Sequence, residues 1–347
     1  MSTPTTAQSG SPTRPGLWRR IDGAIGRYTP RDITRGTLVL AVISLVTEIG
    51  IIVTGGAVRL TASGLGCPTW PTCTDDSWVN TPEMGINGVI EFGNRLLTFV
   101  VGLAALAVLL WVWNLRRSHP SIFWISVGML ACIPAQAVVG GITVWTQLNP
   151  WVVSFHFIVS SVMVCFATLL VNRVGAEWRH RQSEANPTAV VDGPTSPLSR
   201  AMAWAVFVIG WVVLYLGTIV TGSGPHGGDA DAPRHGFDPL VVTRLHALPV
   251  YLMTAAALVL LVLVLRQQSS RLQLISAWAL IAVIAFQGIV GYIQHFTGLP
   301  IGVVLLHMLG TGLVVWAMTT AWDRQVSAYR TRPARPDHSR RLARPIG

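Results

Sequence analysis

The sequence contains no lysine, so arginine alone makes up its 25 basic residues. Charged residues are also scarce, at 12% of the chain against about 25% in soluble domains, which argues against an ordinary soluble enzyme. A formal net charge of +10 raises the question of nucleic acid. The arginines, however, cluster at the ends of apolar runs and in the two tails, where they read as topology signals, and no nucleic-acid partner is expected. Only four cysteines are present; they are split between one loop and apolar runs, which excludes a zinc site. No small-residue cleavage site follows the first apolar run, so that run reads as a retained helix and not a signal peptide.

What the chain has in quantity is apolar length. Hydrophobic residues make up 51% of it, with 14 tryptophans, and the mean hydropathy is +0.52. Eight runs, at roughly 36–57, 89–112, 120–141, 150–172, 201–222, 241–265, 272–293 and 300–321, approach or exceed the about 20 residues that cross a bilayer as a helix. Lipid-facing backbone must be hydrogen-bonded within its own segment, so helices are expected and open sheets are not. The expected fold is an all-α membrane protein of eight transmembrane helices, arranged as two pseudo-symmetric four-helix bundles. The tails and the loops on their side hold 21 of the 25 arginines; the opposite side holds Arg59, Arg95, Arg234 and Arg244. That asymmetry puts both termini in the cytoplasm.

The expected organisation is a cytoplasmic tail at 1–35, a first bundle at 36–172, a cytoplasmic linker at 173–200, a second bundle at 201–321 and an Arg/Pro-rich cytoplasmic tail at 322–347. The first tail reads as mostly disordered, with a short interfacial segment near Trp18. The last tail reads as a topology signal with a minor contact to anionic membrane lipid.

Two stretches share one plan. QAVVGGITVWTQLNPWVVSFHFIVS begins at Gln136, and QGIVGYIQHFTGLPIGVVLLHMLG begins at Gln287. In both, a glutamine precedes a histidine by 20 positions: Gln136 and His156, Gln287 and His307. Each reads as a helix ending in glycines, a turn with proline, and a second helix carrying its histidine two turns in. Upstream, Asn94 lies 62 positions before His156, and His246 lies 61 before His307. Internal duplication follows, with two sites that have diverged.

At 1.5 Å per residue these four side chains lie roughly 7–10 Å inside the outer ends of their helices. His246 and His307, at matched depth, suit the two axial positions of a heme iron. The plainer alternative is a pair of histidines satisfied by helix–helix hydrogen bonds, but ionisable groups in a membrane are functional by default. With no C-x-x-C-H motif, any heme is non-covalent. Arg95 and Arg244, at the outer rim, either grip a heme propionate or anchor to lipid phosphate, and Arg59 is a weaker candidate for the same task. Glu91, one helical turn before Asn94, faces His156 as an acid–base or substrate-gripping pair, or else pairs with Arg95. Cys67 and Cys73, in RLTASGLGCPTWPTCTDDSW, are expected to form a disulfide on the oxidising side, as a structural staple or an electron relay. Cys132 and Cys165 read as small core residues. Glu48 stands out as a carboxylate in mid-span.

The segments VTGGAVRLTASGLGCPTWPTC, IEFGNRLLT, QAVVGGITVWTQLNPWVVSFHF, LGTIVTGSGPHGGD, RLHALP and QGIVGYIQHFTGLPIGVVLLH resemble the heme A synthase family, over about residues 36–321. The resemblance implies a bacterial plasma-membrane oxidoreductase of heme biosynthesis that converts heme O to heme A, oxidising the C8 methyl to a formyl group for cytochrome oxidase biogenesis. It implies heme b between His246 and His307, a substrate site using Glu91 and His156, and partners in a heme O-forming farnesyltransferase and the oxidase assembly machinery. It names no electron acceptor. The family pattern at Glu91 is E-x-x-H, whereas this chain has Asn94. A non-catalytic membrane cytochrome b, or a heme carrier or assembly factor, would use the histidine pair without Glu91 or the cysteines.

Overall fold

In the computed structural model residues 17–185, 195–267 and 269–327 are described, and among them there is no β-strand. The expected disorder of the outermost tails, and the centre of the linker, lie outside those residues. Ahead of the first span is a helix, α1 (Leu17–Tyr28), longer than the short segment expected near Trp18. Long-range hydrogen bonds hold it: Asn114 Nδ2 donates to the Gly26 and Thr29 carbonyls, both at 2.9 Å, and Asp22 accepts from Trp113 Nε1 and Arg116.

Eight helices long and apolar enough to cross a membrane follow: α2 (Arg35–Leu60), α3 (Gly85–Trp111), α4 (Pro120–Trp145), α5 (Pro150–Ala185), α6 (Pro197–Ser223), α7 (Pro239–Arg266), α8 (Arg271–Phe296) and α9 (Ile301–Val326). The order matches the eight expected spans, and the helices run past most of them at the ends because caps, not apolarity, stop a helix. Thr34 and Ser270 form capping boxes on α2 and α8, and the Asp238 side chain accepts from the first free amides of α7. The largest extension is in α5, which carries on through polar helix-forming residues to Ala185 instead of ending near 172. His119, the cap of α4, pairs at 3.0 Å with Glu177 of this extension.

Within the chain, α2 packs on α3, α3 on α4, α4 on α5, and α5 back on α2; α6 packs on α7, α7 on α8, α8 on α9, and α9 back on α6. No extensive contact joins α3 to α5 or α7 to α9 among the described residues. The helices carrying Asn94 and His156 are thus diagonal in one ring of four, and those carrying His246 and His307 are diagonal in the other. The rings meet through α2, α5, α6 and α9. Small residues permit this approach: a Cβ at Gly56 would lie 3.1 Å from Met308 of α9, and one at Gly312 would lie 2.9 Å from Ile49 of α2.

Outer loops also tie the rings. Arg59, at the end of α2, donates to the His226 carbonyl at 2.8 Å and the Thr221 carbonyl at 3.2 Å. The Gly64 amide donates to the Gly228 carbonyl at 2.8 Å.

Candidate functional site

The duplicated stretch is duplicated in its hydrogen bonds. Gln136 Nε2 donates to the His156 carbonyl at 3.2 Å and to Ser160 Oγ; Gln287 Nε2 donates to the His307 carbonyl at 3.2 Å and to Thr311 Oγ1. The hydroxyls of Ser160 and Thr311 back-bond to the same two histidine carbonyls. Between each pair of helices the chain reverses through a left-handed leucine, Leu148 at φ 59° and Leu299 at φ 61°, whose amides bond Thr143 and Gln294. This conformation is costly for a non-glycine residue, so finding it at both matched positions is a sign of one inherited backbone. The glycines expected at the helix ends lie inside them instead. A Cβ on Gly140 would sit 3.5 Å from Cε1 of His156, and one on Gly291 would sit 3.5 Å from Cε1 of His307. Each imidazole therefore approaches a glycine of the preceding helix through its Cε1.

Several buried polar atoms of these side chains make no close hydrogen bond, although His246 lies against Gly217 and the Val213 backbone of α6. Nδ1 of His156, His246 and His307, and Oδ1 of Asn94, are buried with no hydrogen bond. Buried polar atoms are nearly always satisfied, so four orphans at matched register suit groups that await a ligand. No three His, Cys, Asp or Glu side chains converge among the described residues; imidazoles approaching from opposite helices are the ligand set on offer. Because α3 begins at Gly85, earlier than expected, Asn94 lies roughly 13 Å inside its helix end, against roughly 9–10 Å for the histidines.

Glu91 and Arg95 are brought together, and both are committed to the loop above α3. Glu91 Oε2 accepts from the Cys67 amide at 2.6 Å, and Oε1 accepts from Arg95 at 2.6 Å. Arg95 also donates to the carbonyls of Cys67, Thr69 and Thr72, each at 3.1 Å. Cys67 and Cys73 are joined as a disulfide and are fully buried. Trp70, within that loop, drops onto α4. A Cβ on Gly141 would overlap its indole, and its carbonyl accepts from Trp145 Nε1 at 3.2 Å. Sequence reasoning passed over Trp70, because nothing local marks which glycine receives it.

Arg244 is exposed and makes no hydrogen bond or ion pair among the described residues. It is not a positional match for Arg95: it precedes His246 by two, whereas Arg95 follows Asn94 by one. The residue in register with Glu91 is Thr243, which back-bonds within α7. Arg59 is taken up by the bridge between the rings, and His226 bonds the Leu299 carbonyl at 3.1 Å. His235 covers Gly222 and packs 4.3 Å from Trp151; burial, with the Arg59 cation nearby, holds its imidazole below the usual histidine value. Glu48 is 2% exposed, with Oε1 unpartnered, deeper in α2 than the site. Cys165 is buried and receives the Thr319 hydroxyl, and Cys132 is half-buried.

A family model described as "Cytochrome oxidase assembly protein", COX15-CtaA, matches residues 38–226, from α2 to the end of α6. The chain belongs to this family. Similar proteins include the "Heme A synthase" of Symbiobacterium thermophilum, 28% identical over 167 residues, which are 48% of this chain and 53% of that one. That of Exiguobacterium sibiricum is 29% identical over 178 residues, 49% of this chain and 54% of its own. This chain thus matches about half the length of both. A longer match is to the "Heme A synthase" of Bradyrhizobium sp., 26% identical over 333 residues, 81% of this chain and 88% of that one.

Proposed function

We propose that this protein is a heme A synthase, a multi-pass enzyme of a bacterial plasma membrane with both termini in the cytoplasm. It is built as two pseudo-symmetric four-helix bundles, α2–α5 for the substrate and α6–α9 for the resident cofactor. One observation carries the reading. The Gln–His carbonyl bond, left-handed leucine and glycine-backed imidazole recur in both halves, with the helix of His156 diagonal to that of Asn94 and the helix of His307 diagonal to that of His246. Heme fits these residues, since neutral imidazole is a good iron ligand and each ring is held by its own backbone contacts.

In this reading His246 and His307 hold heme b non-covalently, and bound heme b supplies one-electron chemistry that no side chain here has. Heme O is the substrate and heme A the product, through oxidation of the C8 methyl to a formyl group. His156 orients the substrate from α5. Asn94, facing it from α3, is a poor iron ligand beside imidazole, so the substrate half grips less firmly than the heme b half. Glu91 places a carboxylate one turn from Asn94 and holds the disulfide loop over the site, with Arg95 fixing the loop carbonyls. Arg244, unengaged by protein, is available to a propionate, where a guanidinium binds a carboxylate bidentately. The farnesyltransferase that makes heme O would supply the substrate, and cytochrome oxidase assembly would consume the product.

The test is co-expression with the heme O-forming enzyme, followed by mass spectrometry of the extracted hemes. A formyl-bearing heme is expected from the parent and not from His156→Ala. Unmodified heme b as the sole pigment of the parent would favour a membrane cytochrome and overturn the synthase reading.

A further inference from the structure

The two halves differ at a matched position near the ends of α4 and α8. In register with Gly141, and 151 positions later, stands Tyr292, whose hydroxyl bonds that of Tyr251 at 2.7 Å. There, α8 is tied directly to α7, the helix of His246. The first half has a glycine at this place, and an indole from outside the helices fills the notch. The Trp70 ring contacts Gly141 so closely that no side chain larger than hydrogen fits beneath it. Gly141 is the immediate neighbour of Gly140, which backs His156, and adjacent Cα atoms are about 3.8 Å apart. Trp70 therefore lies beside the wall that presents His156.

The loop that delivers Trp70 is held at several points and is not part of any helix. The disulfide closes a short ring of residues with Trp70 at its middle. Glu91 receives the amide at one end, Arg95 gathers three carbonyls, and Gly66 lies directly on the backbone of Asn87 and Gly88. Beyond these anchors, Trp70 meets α4 through ring contact and a single hydrogen bond from Trp145, whose ring stands 5.3 Å away edge-on. A cover built this way can lift while its anchors stay in place.

We propose that Trp70 is the covering residue of the first-half site, seated in the Gly141 notch and displaced when a flat macrocycle enters or leaves beside His156. The proposal rests on the reading that this half takes heme O. It gives the half that exchanges its ligand a cover carried on a loop, at a position where the other half has Tyr292 in place of Gly141.

The experiment loads the full-length protein with heme O and follows transfer of that heme to excess apomyoglobin, with heme b of the second half as internal control. Trp70→Ala is expected to speed heme O release at least tenfold while heme b stays bound. Gly141→Val, which leaves Trp70 in the chain but fills its notch, is expected to do the same, and Trp70→Phe to restore most of the retention. Parental release rates in both Trp70→Ala and Gly141→Val, with heme b intact, would overturn the cover. Loss of heme b in step with heme O would also overturn it, since a general loosening would then explain the release. A parent that holds heme O no better than its own His156→Ala variant would overturn the site reading and the cover together.

Discussion

The α2–α5 and α6–α9 halves repeat one local plan around Gln136–His156 and Gln287–His307 and differ in the side chains set on it. Gln136 and Gln287 make the same bond, Leu148 and Leu299 turn the same way, and Gly140 and Gly291 back the same ring. The halves differ at matched positions: Asn94 against His246, Glu91 against Thr243, Gly141 against Tyr292. Backbone satisfaction in a membrane tolerates little change, so the scaffold persisted while the lining was free to vary. The result is one half with two imidazoles, and another with one imidazole and an amide.

The sharpest way to break this comparison is at the second pair. His246→Ala or His307→Ala should reduce bound heme b at least tenfold and remove the low-spin spectrum of a bis-imidazole iron, whereas His156→Ala should leave both intact. Pyridine hemochrome and electron paramagnetic resonance on purified variants read this. Heme b lost equally from all three would mean that the halves are not separate sites.

Next in size is the first half itself. His156→Ala and Glu91→Ala should each bring heme A formation to background, at least a hundredfold down, with heme b retained. Glu91→Ala also strips Arg95 and the Cys67 amide of a buried partner, at a local cost of about 3 kcal/mol, so the disulfide should reduce faster with a phosphine reagent. Glu91→Gln keeps an acceptor for the Cys67 amide and should restore much of that resistance. Equal reduction rates in parent and Glu91→Ala would show that the carboxylate does not hold the loop.

Making the halves alike is a gentler test. Asn94→His should give the first half a second imidazole, raise its retention of added heme O at least tenfold, and slow turnover by holding product. Asn94→Ala should change retention less than twofold. An Asn94→His protein with parental retention and spectrum would mean that this position does not face the iron.

The smallest expected effects are at the shared bond. Gln136→Ala and Gln287→Ala should each cost about 1 kcal/mol, seen as faster heme loss from the variant's own half only. Loss that crosses between halves would show that the two rings, joined through Arg59 and the α2–α9 contact, behave as one body.

Much of this architecture is legible in the chain before any folding. A bilayer sets a minimum apolar length, so eight spans can be counted, and a duplicated spacing places Gln136 with His156 and Gln287 with His307. The pairing of Cys67 with Cys73 is the expectation for two cysteines in one short loop, and the structure joins them. These features are local, or repeat at a fixed interval, and local rules describe them. What the tertiary structure decided is which groups meet across long separations. It put the ligand-bearing helices at diagonal corners of each ring, turned Glu91 and Arg95 toward the loop, drew Arg59 into the bridge between halves and left Arg244 free. It also seated Trp70 on Gly141, some seventy positions away. No periodicity encodes these meetings, because each is chosen by competition among buried donors, acceptors and notches that exist only once the helices have packed.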